Sequence, residues 1–214
     1  MNNSELRLGI IKTALRLSET GLSVGMSGNV STRAEGGFLI TPSGMEYSSI
    51  SPEDIVFVDF DGNADGRCKP SSEWRFHRDI YQAYLSAGAI VHAHPPYSTA
   101  LACIGSGIPA FHYMVAAAGG KDIRCAGYQL FGSEDLSIEV IKALDGRRAC
   151  LLANHGLIAY GGDLENAFSL ALEVEELSRQ YQLALQIGKP NILSDSQMDE
   201  VLEKFKTYGE KAQK

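Results

Sequence analysis

ACLLANHGLIAYG, residues 149–161, sets two apolar runs on either side of Asn154-His155-Gly156. A link this short makes a hairpin, whereas parallel neighbours need a crossover of roughly a dozen residues or more. The two runs therefore read as antiparallel buried strands, with no polar alternation to mark a solvent face. Strands joined without crossover helices argue for a layered α/β domain. Its sheet should be mixed or mostly antiparallel, not doubly wound and parallel.

The same logic extends outward. AIVHAH, residues 89–94, reads as another buried strand, and Pro95 and Pro96 end it because proline cannot donate to a central ladder. NVSTR, GFLIT and DIVFVDF are shorter strand-like pieces divided by the turns TPSG and FDGNADG, and GYQLFG reads as extended. Helical spacing appears over residues 4–20, with Leu6, Ile10, Ile11, Ala14, Leu15 and Leu17 on the apolar side and Gly21 as the stop. A second helix is predicted over about 72–85, capped by Ser71 or Ser72, and a third over 97–104. SEDLSIEVIKAL is a fourth, with Ser133 as cap and two acids in its first turn. Asp163 caps a long helix whose stripe is Ala167, Leu170, Val174, Leu177, Tyr181 and Leu185, ending at Gly188. Residues 195–208 have helical spacing too.

No repeat, low-complexity block or Pro/Ser-rich linker divides the 214 residues, so one domain over 1–214 is expected. Hydrophobic content of 44% and charged content of 21% suit a globular protein with a substantial core. A net charge of -7 argues against a non-specific hold on nucleic acid, yet leaves room for a local anion pocket. No apolar run approaches the roughly 20 residues of a membrane span. MNNSELRLGIIKT mixes charges without an apolar signal core, so no leader is expected. Cys68, Cys103, Cys125 and Cys150 lack CxxC spacing, which favours reduced thiols in a cytoplasm.

His92 and His94 are the residues that do not belong in such a core. On a strand, positions i and i+2 share a face, roughly 6.5–7 Å apart along the chain, and two imidazoles so placed can converge on one metal ion. A lone buried histidine is more often a packed residue bonded to a carbonyl. The pair evens that balance, and His155, closing another apolar strand beside Gly156, tips it towards metal. Three histidines leave a tetrahedral ion one open position, the catalytic pattern. Glu73, in KPSSEWRFH, is placed to occupy or border it, against the plainer reading of a first-turn acid on a helix dipole. His77 and His112 read as packing or supporting residues.

Anion-binding features form a second group. GMSGNVS (25–31) combines two glycines with Ser27 and Asn29; TPSG (41–44) is a hydroxyl-rich turn; KPSSE puts two serines at a helix start. Each alone is an ordinary turn or cap. Three of them fall within the first 75 residues, one at the start of the helix that carries Glu73, which makes a phosphate site the better reading.

SGNVS, LITPSG, KPSSEWRFH, VHAH, IPAFHYMVAAAGG, LLANHGLIA and VLEKFKTYG together resemble the class II aldolase/adducin family over nearly the whole chain, and within it the branch acting on L-fuculose 1-phosphate. The resemblance implies a three-layer α/β domain with a central, mostly antiparallel sheet, assembled as a homotetramer with active sites between subunits. It implies one Zn2+ per subunit on His92, His94 and His155, with Glu73 as resting ligand and proton shuttle. Phosphate would fall on Ser27, Gly28, Asn29, Thr41, Ser43, Gly44, Ser71 and Ser72. Tyr113 would act as an acid in a neighbour's site, Tyr208 would sit on a C-terminal tail (about 195–214) closing over the site, and Phe131 would wall the aldehyde pocket. The implied reaction is reversible cleavage of a 1-phosphoketose, through an enediolate, into dihydroxyacetone phosphate and an aldehyde of the L-lactaldehyde type. Pro95-Pro96-Tyr97 occurs across members with other aldehydes and reactions. It keeps open 5-deoxyribulose 1-phosphate or its methylthio analogue as substrate, and a sugar-phosphate 4-epimerase or decarboxylase. An adducin-like interaction module without catalysis has no reason to keep four metal-type ligands.

Overall fold

The computed structural model describes residues 3–207. In chain order its elements are α1 (Asn3–Glu19), β1 (Gly28–Ala34), β2 (Gly37–Ile40), β3 (Val56–Asp59), β4 (Ala64–Asp65), α2 (Trp74–Ala83) and β5 (Ala89–Ala93). Then come α3 (Pro96–Cys103), β6 (Cys125–Ala126), α4 (Glu134–Ala143), β7 (Ala149–Leu152), β8 (Gly156–Gly161), α5 (Leu164–Ile187) and α6 (Asp195–Phe205). The strands form one eight-stranded sheet in the order β4-β3-β2-β1-β5-β8-β7-β6. Every neighbouring pair is antiparallel except β6 and β7. The expected fold class is the one the chain adopts.

Period-two alternation explains why the strands read as unbroken apolar runs. In β5, Ala89, Val91 and Ala93 enter a core shared with α1, α3 and α5, whereas Ile90 enters a second core under α2 and α4. β7 and β8 split in the same way: Leu151 and Leu157 face the first core, Leu152 and Ile158 the second. A sheet covered on both faces has no polar side to show. Fully burying one such side chain contributes about 1.5–3 kcal/mol. His92 follows Ile90 by two residues, which turns it towards α2.

The local signals for α1, α3, α4 and α5 hold to within about a residue or two, the usual scatter of helix ends. Ser133 Oγ accepts from Leu136 N at 3.1 Å and Asp163 Oδ1 from Asn166 N at 2.8 Å, as expected of caps. Four expectations need correction. The second helix starts at Trp74 and not near 72, because Pro70 bridges Pro42 and Ser71 N–H donates to Thr41 O, holding 70–71 extended. Glu73 is its N-cap and makes no side-chain cap; Ser71 Oγ instead accepts the Glu73 N–H at 3.3 Å. GYQLFG, read as extended, pairs with no strand: β6 stops at Ala126, and residues 127–132 form a loop with Tyr128, Leu130 and Phe131 exposed. On α5 burial ends at Ser178, so Leu185 is exposed and lies outside the core stripe. β4, read as part of a turn, pairs with β3 after Asp59 Oδ1 collects the N–H groups of Asp61 and Asn63. Among the described residues, no helix is long and apolar enough to cross a membrane.

Candidate functional site

Three elements end at one place. β5 and β8 are antiparallel neighbours with Ala93 opposite Leu157, so His94, just past β5, meets His155, just before β8. The link into β8 turns through Asn154 at φ 56, a left-handed conformation that asparagine tolerates. α2 brings Glu73 to the same point from one face of the sheet. Among the described residues, Glu73, His92, His94 and His155 offer ligand atoms that all lie within 4.8 Å of one another.

The contacts within this group suit a cation. His92 Nε2 lies 2.8 Å from His94 Nε2 and 3.1 Å from Glu73 Oε2, and His155 Nε2 lies 3.0 Å from Glu73 Oε1. His92 Nδ1 donates to Leu157 O at 2.8 Å, since a carbonyl only accepts; neutral His92 therefore presents a lone pair at Nε2. Glu73 Oε1 is buried and makes no aligned hydrogen bond. Lone pairs of three imidazoles and a carboxylate converging in a buried pocket repel one another unless a positive charge sits between them. Nitrogen and oxygen donors of this kind suit a divalent first-row ion such as zinc.

Burial disfavours charge on Glu73, but positive charge at the His92 and His155 rings, which protons carry when no metal ion is there, outweighs it and holds the carboxyl well below the usual carboxylate range. Burial, followed by repulsion from His92 and His155, pushes His94 down to about 3, so its ring is neutral, the form that binds metal. Asn29, directly opposite His92 in the β1–β5 pair, donates from Nδ2 to Glu73 Oε2 at 2.9 Å.

A cleft of about 390 Å³ opens over Glu73, His94 and His155. Ser27, Gly28 and Asn29 line it from the β1 side, Ser43 and Gly44 from the TPSG turn, Ser71 and Ser72 from before α2, and Phe131 from the 127–132 loop. That loop is fastened to the α2 start: Gly132 sits where a Cβ would come within 2.6 Å of Ser72 O, and Arg75 Nη1 donates to Gly132 O at 3.1 Å. Gly28 is equally tight, its Cβ position being 2.5 Å from Ser23 Oγ.

Other expected residues fall elsewhere. His92 is fully buried behind the cleft. Thr41 is buried as well, and its hydroxyl accepts the Val30 N–H at 3.2 Å. His112 caps the 3-10 turn Tyr113–Ala118 by accepting from Met114 N. Tyr113 is exposed and lines a separate apolar groove with α6. Tyr208 lies outside the described residues. Met26, Pro42, Tyr128, Gln129 and Asn154 also line the cleft, and the sequence alone does not single them out. Met26, Pro42 and Asn154 sit inside the motifs GMSGNVS, TPSG and LLANHGLIA. Tyr128 and Gln129 carry no such signal, because GYQLFG reads only as an extended segment.

The whole chain, and not the site alone, is similar to known proteins. The family model described as Class II Aldolase and Adducin N-terminal domain matches residues 9–182. A 5-methylthioribulose-1-phosphate/5-deoxyribulose-1-phosphate aldolase of Rhodospirillum rubrum is 54% identical over 97% of this chain and 94% of its own length. An L-fuculose phosphate aldolase of Escherichia coli is 47% identical over 98% of both chains. A solved L-fuculose 1-phosphate aldolase superposes with a TM-score of 0.93 at 43% identity, covering 96% of this chain and 98% of that one.

Proposed function

The chain belongs to the class II aldolase and adducin family and, like the aldolases it matches, is a lyase; from that premise we propose that it uses zinc to split a 1-phosphoketose reversibly into dihydroxyacetone phosphate and an aldehyde. The observation that carries the reading is the convergence of Glu73, His92, His94 and His155 at the floor of a cleft rimmed by hydroxyl and glycine turns. A divalent ion there would supply Lewis acidity for the negative charge that builds on the ketone oxygen as the C–C bond breaks.

The chain's own residues divide the remaining work. Ser27, Asn29, Ser43, Gly44, Ser71 and Ser72 line the cleft, and their hydroxyls and N–H groups suit a phosphate. Thr41 supports these residues from behind, through the bonds to Val30 and Ser71. Glu73 moves the proton at the dihydroxyacetone phosphate carbon, Tyr113 of a neighbouring subunit exchanges the proton at the aldehyde oxygen, and Phe131 walls the aldehyde end. No lysine lines the cleft among the described residues, so an imine-forming mechanism lacks its nucleophile there. We assign the protein to a homotetramer in which Tyr208 takes part in turnover, and to the cytoplasm, where its unpaired cysteines stay reduced.

The motifs alone point first to L-fuculose 1-phosphate. Identity of 54% to the methylthioribulose/deoxyribulose enzyme against 47% to the fuculose enzyme favours the 5-deoxypentulose phosphates instead. Met26, Tyr128 and Phe131 give the cleft an apolar mouth, which fits a methyl or methylthio end better than a further hydroxyl. The test is a panel of 1-phosphoketoses with coupled detection of dihydroxyacetone phosphate, run on zinc-loaded and chelator-stripped protein. The expected result is highest kcat/KM on 5-deoxyribulose 1-phosphate or 5-methylthioribulose 1-phosphate, lost on stripping and restored by zinc. Turnover that survives complete stripping defeats the metal mechanism, and a preference for L-fuculose 1-phosphate returns the substrate to the motif-based reading.

A further inference from the structure

Behind the cleft a row of buried polar side chains runs from Glu73 along the face of β1 that α2 covers. Asn29 Nδ2 is 2.9 Å from Glu73 Oε2, and Asn29 Oδ1 is 2.5 Å from His77 Nε2. His77 Nδ1 is 2.7 Å from Ser31 Oγ, and Ser31 Oγ is 2.8 Å from the Tyr81 hydroxyl. Asn29 is 3% exposed, and Ser31, His77 and Tyr81 are fully buried, so solvent cannot substitute for any of these partners. The placement follows from two periodicities. Residues 29 and 31 share one face of β1, and residues 73, 77 and 81 lie one helical turn apart along α2.

Donor logic orients the row from one end. A carboxylate only accepts, so the Asn29 amide must turn its NH2 to Glu73 and its oxygen to His77. That oxygen accepts only, so His77 carries its proton on Nε2. A neutral His77 then has a lone pair at Nδ1, which takes the Ser31 hydroxyl proton, and Tyr81 donates to Ser31 Oγ. Burial, with a further contribution from His92, pushes His77 down to about 3, in keeping with a neutral ring.

We propose that His77, oriented by Ser31 and Tyr81, is a positioning residue for the Glu73 carboxylate: it locks the Asn29 amide so that the NH2 always faces Glu73. Without His77 or its orienter, the amide oxygen loses the donor that anchors it, and the NH2 is free to swing away from the carboxylate. The inference rests on the proposed role of Glu73 but reaches residues that touch neither metal nor substrate. Partners of this kind around metal ligands typically change metal affinity or activity about 10–100-fold when lost.

Ser31→Thr and Ser31→Val make the cleanest comparison, because they match in shape and differ in one hydroxyl. In the zinc-loaded protein we expect Ser31→Val to bind zinc about tenfold more weakly than Ser31→Thr in chelator competition. It should also exchange the dihydroxyacetone phosphate proton with solvent about tenfold more slowly. Equal zinc affinity and equal exchange in the two variants overturn the proposal. Nitrogen-15 NMR of His77 in the unmodified zinc-loaded protein provides a second check that survives any folding failure: Nε2 protonated and Nδ1 bare is expected, and the opposite tautomer overturns it. If Glu73→Gln exchanged the proton normally, the role of Glu73 would fall, while the His77 tautomer and the zinc comparison would still decide the row.

Discussion

Gly156 and His94 are packed so closely that a Cβ built on Gly156 would lie 2.8 Å from Cδ2 of the His94 ring and 2.3 Å from the carbonyl oxygen of Ala93. A ring can swing aside, but the carbonyl belongs to the β5 backbone. Gly156→Ala must therefore push β8 from β5 where His94 and His155 meet. We expect it to weaken zinc binding about tenfold or more although no ligand is altered. The accompanying strain should cost about 1–3 kcal/mol. Chelator competition and thermal denaturation read the two effects, with His155→Ala as the reference that loses zinc outright. Zinc affinity equal to that of the unmodified protein would show that the close approach does not shape the site.

The two serines before α2 should behave differently. Ser72 is exposed at the cleft, whereas Ser71 is buried with its Oγ accepting the Glu73 N–H. A hydrogen bond to a charged group contributes about 1.5–3 kcal/mol, or about tenfold or more in binding. Ser72→Ala should thus raise KM for the phosphorylated ketose by about that factor, with zinc content and melting temperature unchanged. Ser71→Ala should raise KM and also lower the melting temperature, because it leaves the Glu73 N–H without its acceptor. An unaltered KM in both variants would remove the phosphate from this end of the cleft.

What the sequence makes legible depends on the range of the forces involved. His92, His94 and His155 stand out because strand periodicity and the hairpin turn are local, and packing alone seldom puts three imidazoles into apolar runs. The α2 start is hidden because a long-range contact decides it: Pro70 pairs with Pro42, and nothing in KPSSE announces that. GYQLFG misleads for the same kind of reason. Its β-type composition is overridden by the end of the sheet at β6, by the close packing of Gly132 against Ser72 O and by the bond from Arg75 to Gly132 O. The buried row behind Glu73 is out of reach as well. In the sequence Asn29 suggests phosphate and His77 suggests packing, but their mutual distance is a product of the β1–α2 packing. Residue type points to the chemistry, and tertiary contact sets which groups support it.

Tyr113 poses the sharpest test, because its place in the chain and its proposed task lie apart. It is 51% exposed and borders an apolar groove with Leu193, Val201 and Phe205, and among the described residues it does not line the metal cleft of its own chain. A phenol so placed can act as an acid only in another subunit's site. Tyr113→Phe keeps the ring and its packing but removes the hydroxyl, so folding and zinc content should be unchanged. Cleavage and condensation should fall by about 10²-fold or more, the usual range for a lost general acid. Proton exchange into dihydroxyacetone phosphate, assigned to Glu73, should persist, since it precedes any contact with the aldehyde. Mixing Tyr113→Phe subunits with His94→Ala subunits adds a geometric check. Each is inactive alone for a different reason, yet a mixed oligomer pairs an intact metal site with an intact tyrosine from the neighbour. Partial recovery of cleavage in verified mixed oligomers is expected. No recovery, or loss of proton exchange in Tyr113→Phe itself, would return the tyrosine to some other task and leave the aldehyde oxygen without its acid.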